Sequence, residues 1–517
     1  MTLLSSVVET SQRVSATSAR LAKVRELAGS LRALAPDEIE IGVQYLSGDT
    51  PQGRSGIGYQ VLHTASAAGA AAEATLSLTE VDTRLGEIAA LRGAGSATRR
   101  SAALQELFAR ATTPEQEFLI RLLLGELRQG ALAGVMVDAI AAAADLPVAA
   151  IRRAAMYSGL GAVARAALVE GTAGLARFQL ELLTPVAPML AQTASDVAEA
   201  LQQLPGPIAF EWKMDGARVQ AHKAGETVRL YTRGLNEVTS AVPEVVEVVR
   251  RLPVRDVILD GEAIAFNAAG RPHPFQVTMR RFGRRLDVEK LRAELPMQVF
   301  FFDCLRLDDQ TLVDQPTRER LRALAQAVPP AHEIPRLVTS SVNEAQSFYE
   351  AALAAGHEGL MAKSLDALYE AGNRGASWLK IKRAHTLDLV VLAAEWGHGR
   401  RTGKLSNLHL GALDPATGEY VMLGKTFKGL TDALLEWQTK ELLAREVRRD
   451  DWTVYVRPEL VVEIAFSDLQ ASPRYPGGIA LRLARVKRYR DDKRAAEADT
   501  MESVRRIFAA EQHAAKQ

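Results

Sequence analysis

Between residue 1 and about residue 180, apolar positions recur at helical spacing on a background of Ala, Leu, Arg and Glu, with little strand-like alternation. A nearly all-helical region is predicted there. One helix start is marked in detail. Thr113 is expected to cap, Pro114 to take the first helical position, where a missing N–H costs nothing, and Gln116 to return a hydrogen bond. Phe118, Leu119, Leu122 and Leu123 then form the buried stripe. In the stretch LLTPVAPMLAQ, Pro185 and Pro188 break the helical pattern, which predicts an extended surface strap and a first domain boundary.

From about 190 to 383 short apolar runs such as IAFEWKM, VRLYTR, DVILDGEAIAF and MQVFFFDCLRL alternate with helical segments like PTRERLRALAQAV. That pattern predicts an α+β domain built on antiparallel sheets. From 384 to 517 the chain reads as five or so strands, among them LDLVVLAAEW, LHLGALD, YVMLGKTF, LVVEIAFSDL and LRLARVKRYR, the number and spacing of a small all-β barrel of the OB type. Three domains are expected, at 1–180, 190–383 and 384–517. No internal repeat or long low-complexity segment interrupts them.

Composition narrows the class. With 517 residues the chain exceeds a single small binding module, and 47% hydrophobic with 24% charged residues is too rich in core formers for disorder. The formal net charge is +1, so any contact with nucleic acid must come from local patches. The one cysteine, Cys304, excludes an internal disulfide, a Cys-rich zinc module and a Cys-x-x-Cys redox pair, and fits a reducing cytoplasm. The start MTLLSSVVETSQR lacks the features of a signal peptide, and no apolar run reaches the ~18 residues of a membrane span. A soluble cytoplasmic protein without a membrane partner is expected. The nine histidines show no metal-ligand spacing.

The chemistry concentrates in one ordered set of motifs. Glu211-Trp-Lys-Met-Asp-Gly-Ala-Arg218 ends a predicted strand and sets Lys213 beside acids and an arginine. Alone, Lys-x-Asp-Gly-x-Arg reads equally well as an exposed charged turn. Downstream, however, come Arg233-Gly-Leu-Asn, Leu259-Asp-Gly-Glu262, Phe301-Phe302-Asp303, Glu358-Gly-Leu-Met-Ala-Lys363, Trp378-Leu-Lys-Ile-Lys382 and Arg485-Val-Lys-Arg-Tyr-Arg490-Asp-Asp-Lys493. Composition does not generate such a series.

As a set these motifs resemble the ATP-dependent DNA ligases of the three-domain bacterial and archaeal-eukaryal type, over essentially the whole chain. The resemblance implies an all-α DNA-binding domain, an α+β nucleotidyltransferase (adenylation) domain and an OB-fold domain. It implies ATP as AMP donor, Mg2+ as metal and nicked duplex DNA as substrate. The nick would be sealed through a lysine-AMP intermediate, an adenylated 5′-phosphate and attack by the 3′-hydroxyl. A monomer is expected.

The resemblance also implies roles. Lys213 matches the lysine that takes AMP, and a protonated amine is no nucleophile, so burial or neighbouring cations should lower its pKa. Lys380 and Lys382 match a pair near the α-phosphate that would depress that pKa and neutralise charge; alternating lysines are also common on solvated strand edges. Glu262 matches a nucleotide or metal contact and Glu358 a metal ligand, both hard oxygen donors. Phe302 matches the aromatic that stacks on adenine, and Glu211 the acid that reads the exocyclic amine. A Phe in FFFDCL also suits a core, and Phe301 and Phe302 must face opposite sides of a strand.

Arg218 and Arg233 resemble arginines that contact the nucleotide and the nick 5′-phosphate, and Arg374 matches another nucleotide contact. Arg485, Lys487, Arg490 and Lys493 resemble the last motif, which orients pyrophosphate, although Leu483-Ala484 stands where an aromatic and Pro are usual. For DNA, Arg128 in Leu127-Arg-Gln-Gly130 resembles a backbone-contacting turn, and Met279–Arg285 offers a basic patch. Phe275 matches a minor-groove wedge, with a core anchor as the competing reading. An RNA ligase or capping enzyme shares the Lys-x-Asp-Gly core but lacks the helical domain. A NAD-dependent DNA ligase would carry the Cys-rich module, and a nick-binding scaffold with a dead site would lack part of the set Lys213, Glu262, Glu358, Lys380 and Lys382.

Overall fold

The computed structural model describes residues 1–517 apart from 54–56, 68, 128, 130–132, 284–286, 372–376, 383–384, 398–400 and 517, and for 510–516 the backbone alone. The chain divides into two compact units. The first comprises Met1–Leu190 with Arg233–Leu235 and residues 369–371, and the second Ala191–Thr232, Asn236–Leu368 and the described residues after 376.

The first unit holds ten helices among the described residues, from Leu4–Ala16 to Leu160–Leu175, around one core that includes Leu4, Leu27, Phe108, Phe118, Ile140 and Val163. Each such fully buried side chain contributes roughly 1.5–3 kcal/mol relative to exposure. The helix Thr113–Leu123 begins one residue earlier than its pattern suggests. Thr112, not Thr113, is the N-cap, and Glu115, not Gln116, closes the capping box by accepting from both Thr112 N–H and its hydroxyl at 2.8 Å. Gln116 turns inward, and its amide donates to the carbonyls of Phe108 and Gly69. Phe118, Leu119 and Leu122 are buried as expected, with Leu123 packed at the edge. Residues 185–188 are irregular, and Met189 N–H donates to the Tyr369 hydroxyl.

The second unit is built on strands β1 (Gln192–Ala194), β2 (Ile208–Lys213), β3 (Ala217–Ala224), β4 (Thr227–Thr232), β5 (Asp256–Ala265), β6 (Met297–Leu307), β7 (Gln310–Thr311), β8 (Arg336–Thr339), β9 (Gly359–Ser364) and β10 (Trp378–Lys382). They form two five-stranded sheets, ordered β1-β10-β9-β2-β8 and β4-β3-β5-β6-β7. All pairings are antiparallel except β1 with β10. The short turn Met214–Gly216 carries the chain from the first sheet to the second. Gly216 is needed there, because a Cβ would lie 2.5 Å from the Ala263 carbonyl oxygen on β5. Behind the first sheet, Ile208, Phe210, Leu360, Leu379 and Ile381 pack on the helix Val342–Ala354. Behind the second, Val219, Leu259, Val299 and Phe301 pack on the helices Pro243–Arg250 and Thr317–Ala327.

Later strands are β11 (His385–Trp396), β12 (Leu405–Asp414), β13 (Glu419–Thr426), β14 (Glu446–Arg449), β15 (Thr453–Val456), β16 (Val461–Phe466), β17 (Asp468–Ala471), β18 (Ile479–Arg482) and β19 (Arg485–Tyr489). Among the described residues nine strands thus replace the five or so expected. Long β11 pairs with β12 on one side and with both β15 and β16 on the other, curving around a core of Leu389, Leu410, Val454 and Ile464. Two predicted strands are each split. LVVEIAFSDL breaks at Ser467 into β16 and β17, and LRLARVKRYR breaks at Leu483, whose φ of 55° is left-handed and ends strand pairing. β17 and β18 form a separate hairpin. Among the described residues no helix is long and apolar enough to cross a membrane.

Candidate active site

The side chains singled out from the sequence gather on the facing strands of the two sheets. Along β2, Glu211 and Lys213 share one face by the period of two, while Phe210 and Trp212 take the other. Across the first sheet Lys213 pairs with Gly359, and Gly359 with Lys382. Gly359 sits at φ +140°, and a Cβ there would fall 2.1 Å from the Ile381 carbonyl oxygen. That close approach puts Glu358 between two lysines: its Oε2 is 2.6 Å from Lys213 Nζ and its Oε1 2.5 Å from Lys382 Nζ. Glu358 N–H also donates to the Lys213 carbonyl at 2.9 Å.

Electrostatics here depart from the expectation of a depressed lysine. Burial pulls the Lys213 pKa down, but Glu358, Glu262 and Asp215 outweigh it, and the ammonium is held above its ordinary value. Burial pushes the Glu262 carboxyl up to about 7 even though Lys213 and Arg218 oppose it. Burial and Glu358 likewise raise Asp215, while Lys213, Arg482 and Lys382 pull it back. Burial would raise Glu358 as well, yet the two lysines hold it below the usual carboxylate range. Lys380 lies on the same strand face as Trp378 and Lys382 and is half-buried.

A second cluster lies further along the same strands. Phe301 is fully buried in the core and Phe302 faces the other way, so the expected split of the pair holds. Phe302 meets Trp378 edge to face at 6.2 Å between centroids, with the Arg218 guanidinium 5.4 Å and Lys363 Nζ 4.5 Å from its ring. Arg218 is anchored by Asp260 at 2.9 Å. Glu211, 1% exposed, is bound by Lys363 at 2.5 Å and by Arg336 at 2.8 Å. Lys363 is itself buried, which lowers its pKa, and it donates to the Phe302 carbonyl. Lys363, Arg336, Asp260 and Asp215 had no role in the sequence reading. Lys363, Asp260 and Asp215 all stand inside the quoted motifs, Asp260 two residues before Glu262 on β5 and Asp215 in the turn after β2.

Arg233 belongs to the first compact unit. Arg374 and Arg128 lie outside the described residues. In the turn around Arg128, Gln129 is buried and accepts from the Ser11 hydroxyl, so it serves the core instead of DNA. In the Met279–Arg285 patch, Arg281 is buried on Glu244 at 2.7 Å and is no surface cation; Arg284 and Arg285 lie outside the described residues. Phe275 is half-buried, not a core anchor, with the Arg482 guanidinium 5.9 Å from its ring.

Arg490 is bound by Asp388 at 2.8 Å and Asp492 at 2.7 Å, and Lys493 by Asp388 at 2.6 Å, so both are neutralised within their own domain. Arg485 and Lys487 are exposed on one face of β19. Arg482, at the end of β18 and paired with Asp468 at 3.0 Å, is instead the C-terminal cation whose field reaches Asp215.

Residues 56–141, 188–382 and 401–493 match, respectively, the DNA ligase N terminus, the ATP dependent DNA ligase domain and the ATP dependent DNA ligase C terminal region. A "Probable DNA ligase" of Anaeromyxobacter dehalogenans (strain 2CP-C) is 59% identical over 510 residues, spanning 98% of this chain and 99% of that protein. The chain belongs to the ATP-dependent DNA ligases. Another relative of that name, from Mycolicibacterium gilvum (strain PYR-GCK), is 56% identical over 509 residues, 98% of this chain and 99% of its own length. A solved structure described as Pmar-Lig_Pre covers 94% of this chain and 99% of its own at a TM-score of 0.61 and 17% identity, a likeness of fold. The ligase architecture is thus a helical N-terminal region followed by sheet-rich adenylation and C-terminal domains.

ATP is this family's nucleotide and magnesium its usual metal. No group of three or more His, Cys, Asp or Glu side chains among the described residues could hold a metal ion by itself. Glu262 and Glu358 supply hard carboxylate oxygens, which fits an ion that takes one or two carboxylates and draws its other ligands from water and nucleotide phosphates.

Proposed function

We propose that this protein seals nicks in duplex DNA by passing AMP from ATP through Lys213 to the 5′-phosphate. The observation that carries the reading is the placement of Lys213 among Glu358, Glu262 and Asp215, with Lys382 sharing Glu358. Lys213 Nζ attacks the α-phosphorus, a phosphorus–nitrogen bond forms, and the bond to the pyrophosphate oxygen breaks. Before that the ammonium must lose its proton, and Glu358 Oε2 at 2.6 Å is the acceptor within reach. Lys380 and Lys382 neutralise charge on the phosphoryl group in transit. Phe302 offers a face for adenine, with Glu211 and Lys363 beside it to read the base edge. Arg218, held by Asp260, contacts the nucleotide, and Arg233 and Arg374 the nucleotide or the 5′-phosphate. Glu262 and Glu358 would hold magnesium, which supplies Lewis-acid neutralisation of phosphate charge.

We assign residues 1–180 to a DNA-binding domain, 190–383 to the adenylation domain and 384–517 to an OB-fold domain. The curved sheet around a single core, with the helix Asp432–Ala444 packed on it through Leu435 and Leu442, supports that assignment. Nicked duplex DNA is the partner, met by Phe275 beside the nick and by Arg128 in the helical domain, and the protein acts as a monomer in the cytoplasm. Incubation with α-labelled ATP and magnesium, then a chase with nicked duplex DNA, tests the reading. Covalent label that moves to the DNA 5′ end and disappears as the nick closes is the expected result. Label that moves only to nicked RNA, or no label, overturns it.

A further inference from the structure

The first turn of the helix Phe275–Phe282 meets both strands of the hairpin β17–β18. The Arg482 guanidinium, at the end of β18, lies 5.9 Å from the centroid of the Phe275 ring, and Gln276 Nε2 donates to Gln470 Oε1, on β17, at 3.3 Å. All four residues belong to one compact unit. Arg482 is also the cation whose field reaches Asp215, two residues after Lys213. An aromatic face and a carboxylate act differently on such a cation. Asp468, 3.0 Å from Arg482, offsets its charge. A phenyl ring attracts the guanidinium through its quadrupole but carries no net charge, so it holds the cation in place and leaves the charge to act elsewhere. Asp468 stands on the same hairpin as Arg482 and fixes nothing relative to the adenylation sheets. Phe275 stands between β5 and β6 in the chain, so its ring ties the direction of Arg482 to the sheets that carry Lys213.

We propose that Phe275 is a positioning residue for self-adenylation, its ring steering Arg482 toward the pyrophosphate end of an ATP held at Lys213. Resting on the reading of Lys213 as the AMP acceptor and of Phe275 as a contact beside the nick, this assignment gives one ring two uses. It cannot hold Arg482 and stand in a nick at once, so the uses are successive. Phe275 serves Arg482 until pyrophosphate has left, and the DNA afterwards.

Self-adenylation of the full chain with α-labelled ATP and magnesium, run without DNA, tests the assignment, because a residue used only at the nick is idle there. Phe275→Leu keeps an apolar side chain and loses the aromatic face, and its labelling rate should fall about two- to fivefold, the worth of one exposed cation–π contact. Phe275→Tyr should recover most of that loss. Added to Arg482→Ala, Phe275→Leu should slow labelling no further than Arg482→Ala alone, since a residue that acts through another then has nothing to act on. A merely structural role would add to the Arg482→Ala defect. If Phe275→Leu does not fold, Phe275→Met takes its place in both comparisons. Labelling by the aliphatic variant at the parental rate, or additive defects in the double variant, overturns the proposal. A parent chain that takes no label overturns the reading of Lys213 beneath it, and the proposal with it.

Discussion

Glu358 Oε2 lies 2.6 Å from Lys213 Nζ, an ion pair at the end of β2. Glu358 is the strongest influence holding the Lys213 ammonium above its ordinary pKa, against burial that pulls the other way. Glu358→Gln removes that charge. The Lys213 pKa then falls, and the acid limb of the rate of self-adenylation moves to lower pH. The plateau drops by about 10²–10³, the size of losing one charged contribution to a transition state. A pH series of labelling rates checks both, and a limb that stays in place contradicts the pairing's role.

Lys213→Ala should abolish covalent labelling by ATP. Lys213→Arg should abolish it too, although it keeps the charge opposite Glu358, because a guanidinium does not give up its proton. Labelling in denaturing gels reads the result, and thermal melts of Lys213→Arg close to those of the parent would show that chemistry, not folding, was lost.

Glu262 has a folded pKa of about 7 against an ordinary 4.5, so the folded state binds more protons than the unfolded state between those values. Stability from this group therefore falls as pH rises from about 4.5 to 7 and stays low above. Glu262→Gln should melt higher than the parent at pH 8, with the advantage shrinking toward pH 4.5, while self-adenylation declines. A melting-temperature difference that is flat with pH would contradict the raised carboxyl.

Arg320 and Asp303 are both fully buried and joined by two hydrogen bonds, at 2.7 and 3.1 Å. Arg320→Met strands the Asp303 charge and should cost about 3–5 kcal/mol. Adding Asp303→Asn to it should recover part of that loss. Denaturant titrations of the single and double variants measure the recovery.

The site was legible wherever strand periodicity and chain order decide position. Glu211 and Lys213 two apart on β2, Phe302 opposed to Phe301 on β6, and Trp378, Lys380 and Lys382 alternating on β10 all follow from a period of two. Partner identity was not legible. That Lys363 and Arg336 would clasp Glu211 depends on β8 and β9 flanking β2, a register fixed only in three dimensions. The sign of the Lys213 shift likewise turned on which charges stand nearest, and Gly359 brings in a carboxylate where cations were expected. In the fold, the break of LRLARVKRYR at Leu483 was hidden because its backbone leaves the β region without a Gly or Pro to signal it. The helix cap moved by one residue because Thr112 and Thr113 are equivalent by type, and only the reach of Glu115 separates them.

That break at Leu483 divides the C-terminal cations between a hairpin and β19. It ends β18 at Arg482, on a hairpin apart from β19, where Arg485 and Lys487 stand exposed. Arg490 and Lys493 are committed to Asp388, which is buried at 7% exposure, so removing either cation leaves an acid short of a partner. Arg482 pairs with Asp468 across the hairpin and lies over the Phe275 ring, and its field already acts on Asp215. Arg482→Ala should therefore slow self-adenylation from ATP by about 10²-fold. Sealing of a nick supplied already adenylated should change far less, because that substrate has lost its pyrophosphate. Arg490→Ala should instead lower the melting temperature, with its labelling defect proportional to the unfolded fraction. Labelling and pre-adenylated sealing, run on both variants beside thermal melts, separate the roles. If Arg490→Ala melts like the parent yet fails to label, while Arg482→Ala labels normally, the pyrophosphate contact belongs to Arg490 and the hairpin arginine is structural.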